Sequence, residues 1–285
     1  MFKNISIIGP GLIGASVAMA ISKSSLADQV KVWARSEASR EKCKRQAWAD
    51  SVHPTIKEAV QGCDLVIICT PVDTIIPLFT EMLPYLNPGT LVTDVGSVKS
   101  TICKEALTAS KGSKCHFIGA HPMAGSEKAG MEHASATLLK DATCILTPDK
   151  ESPPELLQML HQFWEALGMR PFSIEAQAHD ALVAQISHLP HIVAASLSAS
   201  LKGLDPDLFK FSGQGLKDTT RIAGGNPLLW ESILSQNSSA ILDSIEQFES
   251  ALSAIKISLK NQDVAAIHKA LEEGQSVRGK IEHSK

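Results

Sequence analysis

Residues 5–14 read Ile5-Ser-Ile-Ile-Gly-Pro-Gly-Leu-Ile-Gly14, and the fold turns on what the three glycines are for. The apolar run Ile5–Ile8 has the composition of a buried strand, and the residues after Gly14 read as a helix. Strand, glycine turn and helix in that order open a parallel sheet with crossover helices. In such a turn Gly9 permits the tight bend, Gly11 lets a pyrophosphate approach the backbone, and Gly14 allows close helix–strand packing. The phosphates then rest at the positive end of the helix, on Leu12, Ile13 and Gly14. The pattern predicts a dinucleotide site; a merely structural glycine turn is the alternative.

The same rhythm continues along the chain. Val30–Trp33, Leu65–Cys69 and Leu91–Asp94 read as further strands, with Gly14–Lys23 and Glu37–Gln46 as crossover helices. Cys144–Leu146 and Arg170–Ile174 would extend the sheet, with Pro154–Leu167 a helix between them. Beyond about residue 175 strand signals vanish and alanine, serine and leucine dominate. Ile241, Ile245, Phe248, Leu252, Ile255 and Leu259 repeat at alternating four- and three-residue spacing, which makes an apolar seam. That seam serves either packing within its own domain or a subunit interface. The expected fold is therefore α/β: a Rossmann-type dinucleotide-binding domain over 1–173, then an all-α domain over 174–285.

Bulk properties narrow the partners. A net charge of −3 and no basic run give nothing to hold a nucleic-acid backbone. Six cysteines without a CxxC pair read as reduced thiols of a cytoplasmic protein. Glycines interrupt the first apolar run, so no leader is expected. No stretch of about 18 apolar residues is apparent, so no membrane span is expected.

The end of the second strand bears on cofactor choice. An NAD site places an acid there to accept from the ribose hydroxyls. Here Ala34-Arg35-Ser36 follows Trp33, with Arg40 one turn on, while Asp28 precedes the strand. A guanidinium and a hydroxyl suit a 2′-phosphate, which a carboxylate would repel. This favours NADP, with NAD possible; Arg35 as a solvated surface cation is the bland alternative.

Three clusters beyond the nucleotide half carry chemistry. Asp94-Val-Gly-Ser97-Val-Lys99 follows the fourth strand, where ligands gather in an open parallel sheet. Gly119-Ala-His121-Pro-Met-Ala-Gly-Ser126-Glu reads as a loop of small residues around one imidazole. Ser187-His188-Leu-Pro-His191 lies in the helical part, with Asp218-Thr-Thr-Arg221 some thirty residues later. Taken singly, a histidine on an apolar helix is more often a core residue, and an arginine a surface cation.

Together GPGLIGAS, DVGSVK, GAHPMAGSE, SHLPH and DTTRIAGGNPLLW, in this order, resemble the prephenate/arogenate dehydrogenase family of tyrosine biosynthesis over residues 3–260. The resemblance implies a homodimer interlocked through the helical domain and a small cyclohexadienol substrate, prephenate or arogenate. It implies hydride transfer to a nicotinamide with loss of CO2, and no metal. His121 would accept the hydroxyl proton, and Ser97 would orient hydroxyl and nicotinamide. Arg221 would hold the ring carboxylate, His191 would line the substrate pocket, and Ser126 would touch substrate. His188 joins the pocket or is structural, and Gln185 would face the substrate side chain. Neither a C-terminal regulatory domain nor a fused chorismate mutase is expected, so feedback by tyrosine, if present, would act at the active site. Gly213–Lys217 matches the family pattern only loosely. Two rivals share the architecture. A β-hydroxyacid dehydrogenase needs a catalytic lysine where this helix offers His188 and His191, with Lys202 beyond. An NADP-sensing protein would lack the catalytic set.

Overall fold

The computed structural model describes residues 2–125 and 130–283. Six strands form a parallel sheet: β1 (Asn4–Ile8), β2 (Gln29–Trp33), β3 (Ser51–His53), β4 (Leu65–Ile68), β5 (Leu91–Asp94) and β6 (His116–Phe117), in the order β3-β2-β1-β4-β5-β6. In register, Ile7 lies opposite Val32 on one side and Ile67 on the other. Between the strands run α1 (Leu12–Ser24), α2 (Glu37–Lys44), α3 (Ile56–Val60), α4 (Val72–Met82) and α5 (Ser100–Ala109). Strand β4 is apolar at every position because both faces of the sheet are covered. Ile5 and Ile7 point into one core with Ala15, Val17 and Trp164, while Ile8, Val66 and Ile68 point into a second with Ile75 and Phe79. The strand order reverses between β1 and β4, which opens a crevice at their carboxyl ends.

Sequence spacing predicts that the later strands extend this sheet; they form a second one. β7 (Gly119–Pro122), β8 (Thr143–Thr147) and β9 (Arg170–Ser173) pair as β7-β8-β9, the first pair antiparallel and the second parallel. The chain leaves the main sheet after Ile118, whose N–H donates to Val92 O at 3.0 Å. It passes directly into β7, so the next residues cannot continue the same ladder. Helix α6 (Pro154–Ala166) joins β8 to β9.

Helices then dominate: α7 (Ala176–Val183), a π-helical turn at Ala184–His188, α8 (Leu189–Ser200), α9 (Gln214–Thr220) and α10 (Pro227–Gln236). Pro190 brings no N–H to the helical ladder, and the widened turn just before it accommodates that loss. Although no membrane-length stretch stands out in the sequence, Ala176–Ser200 is long and apolar enough by length and composition alone, at a mean hydropathy of 1.2. Its buried positions nonetheless include His179, Asp180, His188 and His191. All six cysteines are unpaired, and burial pushes the Cys43, Cys63 and Cys103 thiols up to about 11.

By compactness the chain divides into residues 1–237 and 238–285. The first unit holds both sheets and α1–α10. The second is α11 (Ser238–Lys260) packed with α12 (Val264–His283).

Candidate active site

The glycine turn after β1 has the shape that a phosphate site requires. Gly9 sits at φ 89°, and a Cβ there would lie 2.5 Å from Thr70 Cγ2. A Cβ on Gly14 would meet the Gly9 carbonyl at 2.6 Å and Cys69 Cβ at 2.9 Å, so α1 rests directly on the end of β4. Around Gly11, by contrast, nothing lies within 4 Å of an added Cβ. It precedes α1 with no side-chain cap, leaving the helix's first N–H groups for a ligand. These residues fit a dinucleotide.

The Gly9 N–H donates to Trp33 O at 2.9 Å, tying this turn to the end of β2. Arg35 is exposed there. Ser36 is the N-cap of α2, its Oγ accepting from Ser39 N at 3.1 Å. Arg40 donates from Nη1 to the carbonyls of Ala34 and Arg35, both at 2.9 Å, and so shapes the bend.

His121 lies in strand β7, not in a loop, and is 7% exposed. It faces Ile145 across the antiparallel pair. The small residues around it have a packing reason: β7 is buried at every position between its neighbours. Nor does the ring lack a partner, because its Nδ1 lies 2.8 Å from His179 Nε2 with the rings edge-on. His179 Nδ1 in turn lies 2.8 Å from Asp180 Oδ1. Asp180 also accepts from the N–H groups of Lys99 and Ser100, each at 2.8 Å, at the start of α5.

A second ionic group braces the same corner. Lys99 Nζ donates to Asp94 Oδ2, both side chains being fully buried. Asp94 also accepts from Gly96 N at 2.8 Å and from Ala120 N at 3.2 Å. The loop bearing Ser97, the strand bearing His121 and the start of α7 are thus pinned together. Ser97 is half-buried two residues before Lys99.

Burial, reinforced by the neighbouring His179, Lys99 and His188, holds the His121 pKa well below 6.5. Burial likewise lowers His179, against the pull of Asp180. Burial opposes the charge on Asp180, yet hydrogen bonds from His179, Ser100 and Lys99 outweigh it and keep the carboxyl below its usual range. The corner therefore sets the Asp180 carboxylate beside neutral imidazoles.

On the helical side, Asn237 Nδ2 bridges the Asp180 carbonyl at 2.9 Å and His188 Nδ1 at 3.1 Å. Burial pushes His188 down to about 4. His191 stacks on Trp230 with centroids 3.6 Å apart and planes 8° from parallel, and hydrogen-bonds the Ile222 backbone. Arg221 precedes Ile222 at the start of a short 3-10 turn and is exposed. The structure therefore gathers His121 and His188 around Asp180, and brings His191 to the Arg221 turn. Arg35 and Ser36 follow β2, whose end is tied to the glycine turn, Gln185 is exposed on the π-helical turn, and Ser126 lies outside the described residues.

Sequence reading gives no role to Asp94, Lys99 and Trp230, and passes over His179, Asp180 and Asn237. Asp94 and Lys99 stand inside a quoted motif, so their five-residue spacing was available as a signal. His179 and Asp180 carry none, being 58 residues from His121 in an alanine-rich helix.

Comparison with known proteins bears on the family and the fold. Residues 17–172 match the family model "prephenate dehydrogenase, nucleotide-binding domain", and residues 175–273 match "prephenate dehydrogenase, dimerization domain". A cyclohexadienyl dehydrogenase of Zymomonas mobilis is 32% identical, covering 98% of this chain and 96% of its own. The solved prephenate dehydrogenase of A. aeolicus, in complex with hydroxyphenyl propionate and NAD+, superposes with a TM-score of 0.91 at 28% identity, covering 99% of both chains. The Synechocystis arogenate dehydrogenase structure gives 0.84 at 31% identity, covering 98% of this chain and all of that one. The chain belongs to the prephenate/arogenate dehydrogenase family.

Proposed function

We propose that the protein oxidatively decarboxylates prephenate, arogenate or both, giving 4-hydroxyphenylpyruvate or tyrosine, with NADP preferred to NAD. The observation that carries this reading is the buried, neutral imidazole of His121, just past the carboxyl ends of the parallel strands. A neutral ring accepts a proton where an imidazolium would not.

When bound, the nicotinamide cofactor supplies the hydride acceptor. His121 accepts the substrate's hydroxyl proton as hydride leaves the same ring carbon. The bond from the opposite carbon to its carboxylate then breaks, and its electron pair enters the ring. The ring becomes aromatic, CO2 departs, and the proton on His121 returns to the phenolic oxygen. Aromatisation drives the decarboxylation, so the residues need only orient the substrate and exchange one proton. Ser97 orients the hydroxyl. Arg221 binds the ring carboxylate through a bidentate grip, firm enough to place the substrate without opposing CO2 loss. His191, His188 and Ser126 complete the substrate pocket.

For cofactor choice, the absence of a carboxylate in Ala34-Arg35-Ser36 supports NADP, with Arg35 and Ser36 toward the 2′-phosphate. On this reading residues 1–173 hold the nucleotide and residues 174–285 hold the substrate and form a homodimer. Neither nucleic acid nor membrane is a partner. Initial rates with prephenate and with arogenate, each against NAD and NADP, test the reading. Activity with NAD alone would remove Arg35 and Ser36 from their role. His121→Asn should cut turnover by roughly 10²- to 10⁴-fold while cofactor binding survives in a fluorescence titration.

A further inference from the structure

We propose that His179 and Asp180 are positioning residues that fix His121 in the tautomer protonated at Nδ1, so that Nε2 is the bare nitrogen offered to the substrate hydroxyl. This rests on reading His121 as the proton acceptor, and goes on to assign which nitrogen acts and what dictates it.

The chain of assignments starts at Asp180, whose carboxylate only accepts hydrogen bonds. Its two oxygens are held by the backbone N–H groups of Lys99 and Ser100, which lock its orientation at the start of α5. His179 Nδ1, 2.8 Å from Oδ1, must therefore carry a proton and donate it. A neutral His179 is then bare at Nε2. His121 Nδ1 sits 2.8 Å from that bare nitrogen, so it must donate in its turn. A neutral His121 is left with its lone pair on Nε2. Two rings and one carboxylate transmit a single choice of tautomer over the corner, in the manner of an acid that orients a catalytic imidazole.

The surrounding charges favour the same state. Burial first, and then Lys99 paired with Asp94, oppose a further proton on His121. A proton gained by His179 would reverse the chain, because Nε2–H would then donate to His121 Nδ1 and leave hydrogen on the nitrogen that should accept. When His121 takes the substrate proton on Nε2, its Nδ1–H bond to His179 persists. The resulting cation is stabilised through His179 by the Asp180 carboxylate. One O–H bond breaks, one N–H bond forms, and no further proton moves.

Nitrogen-15 NMR of histidine-labelled, ligand-free enzyme reads the tautomer directly. The expected spectrum has Nδ1 protonated and Nε2 bare on both His121 and His179; a protonated Nε2 on resting His121 overturns the proposal. Kinetics give a second arm. His179→Leu removes the acceptor and should lower kcat by roughly 10²- to 10⁴-fold, the range for losing a correctly oriented imidazole, with KM within about twofold. His179→Gln offers a side-chain carbonyl to His121 Nδ1 and should recover at least tenfold of that loss. Equal losses in the two variants, tracking a lowered Tm, would show a structural role and overturn the proposal. In Asp180→Asn the same spectra should show mixed tautomers on His121; an unchanged His121 would remove Asp180 from the role. His121→Asn separates the two levels. Near-normal turnover in that variant defeats the proton-acceptor reading itself. An inactive His121→Asn beside a fully active His179→Leu defeats only the positioning role.

Discussion

His121 draws its chemistry from what surrounds it. An exposed imidazole with the ordinary pKa would be part-protonated near pH 6.5, whereas burial beside His179 and Lys99 keeps this one neutral. On the proposed reading His121 as neutral acceptor and Arg221 as permanent cation divide the substrate between them, and mutation should separate their contributions. Arg221→Ala is expected to raise KM at least tenfold with a smaller change in kcat, in steady-state assays with the preferred substrate; an equal loss in kcat would give Arg221 a role in the chemical step. At this scale the sequence is legible where a side chain sits in a motif, as His121, His188 and His191 do. It is illegible where a residue matters through a partner distant in the chain. His179 reads as one more helical histidine until β7 is seen to lie 2.8 Å away, nitrogen to nitrogen.

Elements explain why that corner holds its shape. Four strands of the main sheet, β1, β2, β4 and β5, are legible in the sequence, β4 most plainly because burial on both faces demands an unbroken apolar run at Leu65–Ile68, whereas the short edge strands β3 and β6 offer no such run. The β7 strand is not legible, since Gly119, Ala120 and Pro122 offer no alternation and mimic a loop. Its pairing with β8 depends on Ile145, 24 residues further on. Joining β5, α5 and β7 is the Asp94–Lys99 pair, with both charges inaccessible to water. Lys99→Met would leave the Asp94 carboxylate buried without its counter-ion, which costs on the order of 3–5 kcal/mol. Chemical denaturation should show that loss as a lower midpoint; a shift of less than about 1 kcal/mol would mean that the carboxylate escapes its buried charge by protonating or by reaching water.

The whole molecule should feel its buried histidines as it is acidified. His188 titrates near 4 when folded and near 6.5 when unfolded, so between those values the unfolded chain binds a proton that the native state refuses. Stability therefore rises with pH across that window and is lost as pH falls from about 6.5 to 4. His188 alone accounts for roughly 3 kcal/mol, and His121 and His179 act in the same direction. Thermal melts between pH 7 and 4 should fall steadily through this window; a flat profile would place these rings in contact with water. On the seam of α11, Phe248 and Leu252 are 37% and 53% exposed, which suits the face to a second copy of the chain. Leu252→Glu is expected to shift sedimentation toward the monomer, and an unchanged dimer would move the interface elsewhere. The seam's period is legible in sequence, while its exposure is a property of the folded chain. The grip of Asp180 on Lys99 and Ser100 has a practical corollary for protein engineering. A chimera that grafts this nucleotide-binding half onto a foreign helical half, joined at residue 173 where composition changes, would sever α5 from its cap and His121 from its neighbour. Moving the splice past Asn237 keeps both, so the exchangeable module is longer than its composition suggests.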